Sequence, residues 1–212
     1  MIRRVMGLQS IVTVPTGFDP KRESLPLIVM LHGAGERGSL EKVRNMGVCK
    51  LFLNDPDYLG LRTVTLSPLC PTGIFWHNIP FDIMDVIEDT AVTYRIDRSR
   101  ISITGLSMGG YGTWEMGILY PNYFSALGPI CGGGIACRAK RIKNTPVWAF
   151  HGDADKTVPL RCSEEMVDAV NAAGGCAKLT VYPGVGHHSW VPAYETSELI
   201  PWLVSQRKQK GD

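Results

Sequence analysis

The chain has 212 residues, 44% of them hydrophobic and 20% charged, with a formal net charge of +2. That size and balance suit one globular domain over residues 1–212, and the small charge excludes nucleic acid or an anionic membrane as an obvious partner. No apolar run approaches the roughly 18 residues needed to cross a bilayer.

Basic residues gather only at the ends, in Arg3-Arg4 and Arg207-Lys208-Gln209-Lys210, and read as solvated, frayed termini. The first ten residues lack both a continuous apolar core and a small-x-small cleavage site, so no signal peptide is expected and the cytoplasm is the simplest compartment. Six cysteines (Cys49, Cys70, Cys131, Cys137, Cys162 and Cys176) show no C-x-x-C pair and no metal spacing. They read as free thiols, with Cys131 and Cys137 the one pair near enough to bridge.

In chain order, residues 10–14 form a short β-type run closed by turn chemistry through Pro20. Residues 25–31 are continuously apolar, as a strand covered on both faces would be, and run into His32-Gly33-Ala34-Gly35-Glu36-Arg37-Gly38. A helix-compatible but irregular region spans 40–53, and a second core strand spans 61–66. Phe81, Met84, Ile87, Ala91 and Tyr94 recur at helical spacing, which predicts an amphipathic helix over 80–94 opened by Pro80. A β-branched run begins at Ile101, turns at Gly105 and gives way to a helix carrying Tyr111, Trp114, Met116 and Leu119. Further strands are expected at 124–130, 146–150 and 176–182. A helix through Cys162, Met166, Val167 and Val170 should end at Gly174-Gly175, and a last helix, 191–206, should bend or restart at Pro201. Alternation of strands and helices along the whole length predicts an α/β domain built on a mostly parallel sheet with helices on both faces. Reactive groups in such sheets collect beyond the strands' C-terminal ends.

Gly105-Leu106-Ser107-Met108-Gly109 fits G-x-S-x-G at a strand-to-helix turn. A serine hydroxyl there needs an imidazole to take its proton, and the imidazole needs a carboxylate to fix its tautomer. Downstream, each after an expected strand, lie His151-Gly152-Asp153-Ala154-Asp155 and then Gly186-His187-His188. Residue types alone leave Asp153 and Asp155 open for the acid, and His187 and His188 for the base. An oxyanion needs two backbone N–H groups. One is expected from Met108, which follows the serine, and the other from the His32-Gly33-Ala34-Gly35 loop.

On these segments, together with Val158-Pro159 and Trp190, the chain resembles α/β-hydrolases of the esterase group. That group takes in the phospholipase/carboxylesterase and dienelactone hydrolase-like enzymes, and the "predicted peptidase" or polyhydroxybutyrate depolymerase-like esterases. The resemblance runs from about Val14 to Trp202. It implies an α/β-hydrolase fold without a large lid domain, Ser107 as nucleophile, Asp155 as acid, His187 as base, and Ala34 as the second oxyanion donor. By the same resemblance the N-terminus is short for the fold, so its first strands should be reduced or absent.

The expected activity is hydrolysis of small or compact acyl esters through an acyl-enzyme, with no cofactor and no metal. A metal set of His151, Asp153, His187 and His188 lacks any recognised ligand spacing. The expected partner is a small-molecule ester, and a homodimer is left open. Two alternatives remain: a prolyl-oligopeptidase-like serine peptidase, and a non-catalytic binding protein on the same scaffold. Trp76 and Trp190 are expected to line the substrate pocket, with Trp114 and Trp148 in the core. His32 and His151 are expected to fix loops, Glu36 and Arg37 to act as loop struts, and His77 to lie on the surface.

Overall fold

The computed structural model describes residues 1–5, 7–196 and 198–208, so Gln209 and Lys210 of the basic tail lie outside the described residues, as do the side chains of Arg3 and Arg4. Eight strands form one sheet: β1 (Ile2–Val5), β2 (Leu8–Thr13), β3 (Leu27–Leu31), β4 (Val64–Pro68), β5 (Ile101–Leu106), β6 (Ala126–Ile130), β7 (Val147–Gly152) and β8 (Ala177–Tyr182). Their order is β1-β2-β4-β3-β5-β6-β7-β8. β1 and β2 pair antiparallel, as do β2 and β4, and every other pairing is parallel.

The helices are α1 (Leu40–Arg44), α2 (Gly47–Asn54), α3 (Pro80–Thr93), α4 (Met108–Leu119), α5 (Arg161–Ala172), α6 (Trp190–Glu195) and α7 (Leu199–Ser205). They cover both faces of the sheet, which explains why β3 shows no polar alternation. Leu27, Val29 and Leu31 pack into the layer of α3, α4 and α5, while Ile28 and Met30 pack into the layer of α1, α2, α6 and α7. Residues with no polar position to spare must be buried on both sides, and all five of these are fully buried. Among the described residues, no helix is long and apolar enough to cross a membrane.

Five expectations need correction. The first strands are neither missing nor reduced to one: β1 and β2 form an antiparallel hairpin in which Ile2 sits opposite Ile11. The region 40–53 is helical and broken as expected, α1 and α2 parting at Asn45 and Met46, but the second core strand expected over 61–66 is displaced to Val64–Pro68. Phe81 does not face the core. The buried stripe of α3 is Ile83, Val86, Ile87, Thr90 and Ala91, and this phase leaves Phe81 75% exposed. The C-terminal helix restarts before Pro201 rather than at it. α6 ends at Glu195 and α7 begins at Leu199, so Pro201 falls in a first turn, where its missing N–H costs no helical hydrogen bond. Lastly, the described part of the basic tail is latched, not frayed: the Lys208 N–H donates to the Ser99 carbonyl at 2.8 Å, and Arg207 pairs with Asp97 at 3.0 Å.

Candidate active site

Three loops meet beyond the C-terminal ends of neighbouring strands. Ser107 stands at the tip of β5 with φ 54° and ψ −116°, a left-handed conformation rare for a residue with a Cβ. The turn closes only because its flanks are glycine. A Cβ on Gly109 would strike the Leu31 carbonyl and approach the His32 carbonyl to 2.8 Å, and one on Gly105 would meet the Gly109 and Leu31 carbonyls. Strand β5 is thereby pressed against the end of β3, and the serine side chain is pushed out of the backbone.

Asp155 lies in the turn after β7. Its Oδ1 accepts N–H bonds from Thr157 at 2.8 Å and Val158 at 2.9 Å, which fixes the carboxylate. The loop after β8 comes close because Gly152 has no side chain; a Cβ there would lie 2.6 Å from the Gly186 carbonyl oxygen. The Ala154 N–H donates to the Val185 carbonyl at 3.0 Å, tying the two loops together. His187 then bridges hydroxyl and carboxylate. Its Nδ1 is 2.7 Å from Asp155 Oδ2, and its Nε2 is 2.9 Å from Ser107 Oγ. With a carboxylate at Nδ1, the proton resides there, and Nε2 is left to accept from the serine hydroxyl. Burial alone would raise the Asp155 carboxyl, but the hydrogen bond from His187 and the N–H groups of Val158 and Thr157 outweigh it and hold the group below the usual carboxylate range.

Neither rival residue enters this chain of bonds. Asp153 is exposed and its carboxylate accepts the Gly184 N–H at 2.7 Å, a loop strut. The exposed His188 ring meets Trp190 edge-on, with centroids 4.7 Å apart.

The loop after β3 is held by His32. Its Nε2 accepts the Cys70 N–H at 3.0 Å, so its Nδ1–H donates to the Gly33 carbonyl at 2.7 Å. Complete burial pushes the ring's pKa down to about 4, against the pull of the Gly33 carbonyl and with help from Arg37, so the ring is neutral at pH 7. Arg37 braces the same loop, donating from Nε to the Ala34 carbonyl and from Nη1 to the Ile74 carbonyl. Ala34, Ser107 and Met108 line one cleft. Neither the Ala34 nor the Met108 N–H has an acceptor among the described residues. Two unpaired N–H groups beside a serine hydroxyl can receive a developing oxyanion.

The family model described as phospholipase/carboxylesterase matches residues 77–196, which is 120 of the 212 residues. The chain belongs to that family. Carboxylesterase SOBER1 of Arabidopsis thaliana is 23% identical over 87% of this chain and 91% of its own. The crystal structure of a thermostable esterase superposes with a TM-score of 0.87 at 32% identity, covering 98% of this chain. This chain spans 62% of that esterase chain. The feruloyl esterase module of Clostridium thermocellum, solved with sinapinate, shares the fold at a TM-score of 0.78 and 17% identity, covering all of this chain and 89% of its own.

Within this carboxylesterase-family site, the two tryptophans expected in the pocket stand elsewhere. Trp76 is 1% exposed, and its indole N–H donates to the His32 carbonyl at 2.9 Å, so it belongs to the scaffold under the loop after β3. Trp190 is half-buried and backs the His187 ring edge-on at 5.4 Å instead of lining the cleft. The cleft, about 680 Å³, is lined instead by Phe75, His77, Tyr111, Glu115 and Ile135 beside the serine. These were missed because no motif marks them. The only signal was their position: Phe75 and His77 flank Trp76 in the loop after β4.

All six cysteines are free, so Cys131 and Cys137 do not bridge; Cys131 is buried and Cys137 exposed. The four residues weighed as a metal set do not converge. Among the described residues, the one set with ligand atoms within 4.8 Å of one another is Cys131, Asp155 and His187. Asp155 and His187 already bond to each other there.

Proposed function

We propose that this chain is a serine carboxylesterase that works through an acyl-enzyme. The observation that carries the reading is the continuous bonding from Asp155 through both nitrogens of His187 to Ser107 Oγ, at 2.7 and 2.9 Å. As Ser107 Oγ attacks the ester carbonyl carbon, its proton passes to His187 Nε2, and the carbonyl π pair moves onto oxygen. The imidazolium so formed is stabilised by Asp155, which stays ionised because its folded pKa is already depressed. The oxyanion is received by the N–H groups of Ala34 and Met108, the latter at the start of α4, where the helix dipole favours negative charge. Collapse expels the alcohol, which leaves with the proton from Nε2. Water then enters, gives a proton to Nε2 and attacks the acyl carbon. The second tetrahedral species releases the acid and returns the proton to Ser107.

None of these steps calls on a metal or cofactor. The proposed acyl group is a compact one, for which the cleft of about 680 Å³ beside the serine has room. The decisive experiment is labelling by a fluorophosphonate probe, with Ser107→Ala and His187→Ala beside the wild type. Probe adduct at Ser107, and loss of esterase activity by at least about 10³-fold in both variants, are expected. Absence of adduct in folded wild-type protein would overturn the assignment and return the chain to a binding role. Faster turnover of matched peptide amides than of esters would favour the peptidase alternative.

A further inference from the structure

The cleft beside Ser107 is far larger than an acetyl or butanoyl group fills, and falls in the range of sites that take whole small molecules. One wall is aromatic. Phe75 and His77 stack with centroids 5.5 Å apart and planes 15° apart, and both rings are exposed. A phenyl group left 44% exposed to water is unfavourable unless something covers it or the backbone holds it there.

Here the backbone holds it. The Phe75 N–H donates to Asn78 Oδ1 at 2.9 Å, and the Ile74 carbonyl accepts from Arg37. Trp76, between the two rings, is pinned into the core through its indole N–H. The Arg37 guanidinium also sits 5.1 Å from the Phe75 centroid. The backbone that carries the ring pair is therefore held by the same residues that hold the loop after β3. Little backbone order then has to be gained when a ring stacks there. Tyr111, from α4, adds a third exposed ring to the lining, 40% exposed.

We propose that the ester taken by this site carries a planar aromatic ring, which packs against Phe75 and His77 while its carbonyl lies at Ser107. The inference rests on the hydrolase reading above and adds the substrate class. A flat π surface discriminates by ring electrostatics and face-to-face area, whereas a merely greasy cleft would favour the bulkier, more apolar saturated ring.

The test uses the full chain and three methyl esters, with proton release as readout: butanoate, 3-phenylpropanoate and 3-cyclohexylpropanoate. We expect kcat/KM for the phenyl ester to exceed that for the cyclohexyl ester by roughly 3- to 10-fold, the range that aromatic pairs supply. Phe75→Leu retains apolar bulk but removes the ring, and the phenyl-to-cyclohexyl ratio should then fall to about one or below. Either a wild-type ratio of one or less, or a ratio unchanged in Phe75→Leu, overturns the inference. If methyl butanoate is hydrolysed in those cases, the hydrolase reading stands and only the ring preference falls. If folded wild-type protein hydrolyses none of the three esters, both fall together.

Discussion

Mild acid should destabilise this protein through one histidine that takes no part in the proposed chemistry. His32 is fully buried, with Nδ1–H donating to the Gly33 carbonyl and Nε2 occupied by the Cys70 N–H. A second proton on Nε2 would face a donor, so it must break that bond. Burial first, and the Arg37 charge after it, lower the ring from its ordinary 6.5 to about 4, despite the opposing pull of the Gly33 carbonyl. The folded value lies below the unfolded one, so protons favour the unfolded chain. The contribution is complete above pH 6.5 and is lost as pH falls from there through 4. At pH 5 an unfolded histidine is almost fully protonated and the folded one is protonated only about one time in ten. The resulting bias is about 30-fold, or about 2 kcal/mol, compared with almost nothing at pH 7.5.

Urea unfolding followed by tryptophan fluorescence at pH 7.5, 6.5, 5.5 and 5.0 reads this directly, with His32→Asn as the reference. Asp155 has a lowered carboxyl pKa, and its stabilising share is lost as pH falls through that lower range; it is present in both proteins and cancels. The wild type should lose about 2 kcal/mol more than the variant between pH 7.5 and 5.0. Parallel losses would show that His32 is not the buried neutral ring described, and would refute the reasoning.

Three further outcomes are expected. Asp155→Asn removes the charge that fixes the His187 tautomer, and should lower kcat by roughly 10³- to 10⁴-fold with little change in KM, read on a soluble ester. Gly109→Ala drives a Cβ into the Leu31 and His32 carbonyls and should cost about 3 kcal/mol or more in urea unfolding, together with probe labelling of Ser107. Trp76→Phe deletes the indole donor to the His32 carbonyl and should cost about 1–3 kcal/mol while leaving KM within about twofold; a large rise in KM would return Trp76 to the cleft wall.

What could be read from the sequence divides along physical lines. The order of strands and helices was legible because both faces of the sheet are covered, so β3 is an unbroken apolar run, β5 is a short β-branched run buried at every position, and the helices between them carry stripes. The meeting of Ser107, Asp155 and His187 was legible because strand-end loops of a parallel sheet converge, and because Gly105, Gly109 and Gly152 stand at the close approaches. The N-terminal hairpin was not legible: β1 is a four-residue strand whose pairing with β2 is set by the register of an antiparallel edge, which periodicity does not report. Phe81 misled because a helix's first turn fits an apolar stripe as well in spacing as the core face does, and only the packing of Ile83 and Val86 selects the phase. Trp76 misled in a different way. Its loop position was read correctly, but the indole faces inward to satisfy the His32 carbonyl, and its two neighbours face the cleft instead.

The backbone angle at residue 107 also constrains what chemistry this position could ever be given. At φ 54° a side chain branched at Cβ would collide with its own peptide, whereas an unbranched one of similar reach is accommodated. Under the proposed chemistry, cysteine is thus an admissible replacement nucleophile, opening the way to thioester intermediates. Threonine, a single methyl group away from the native residue, is closed off by the shape of the chain itself.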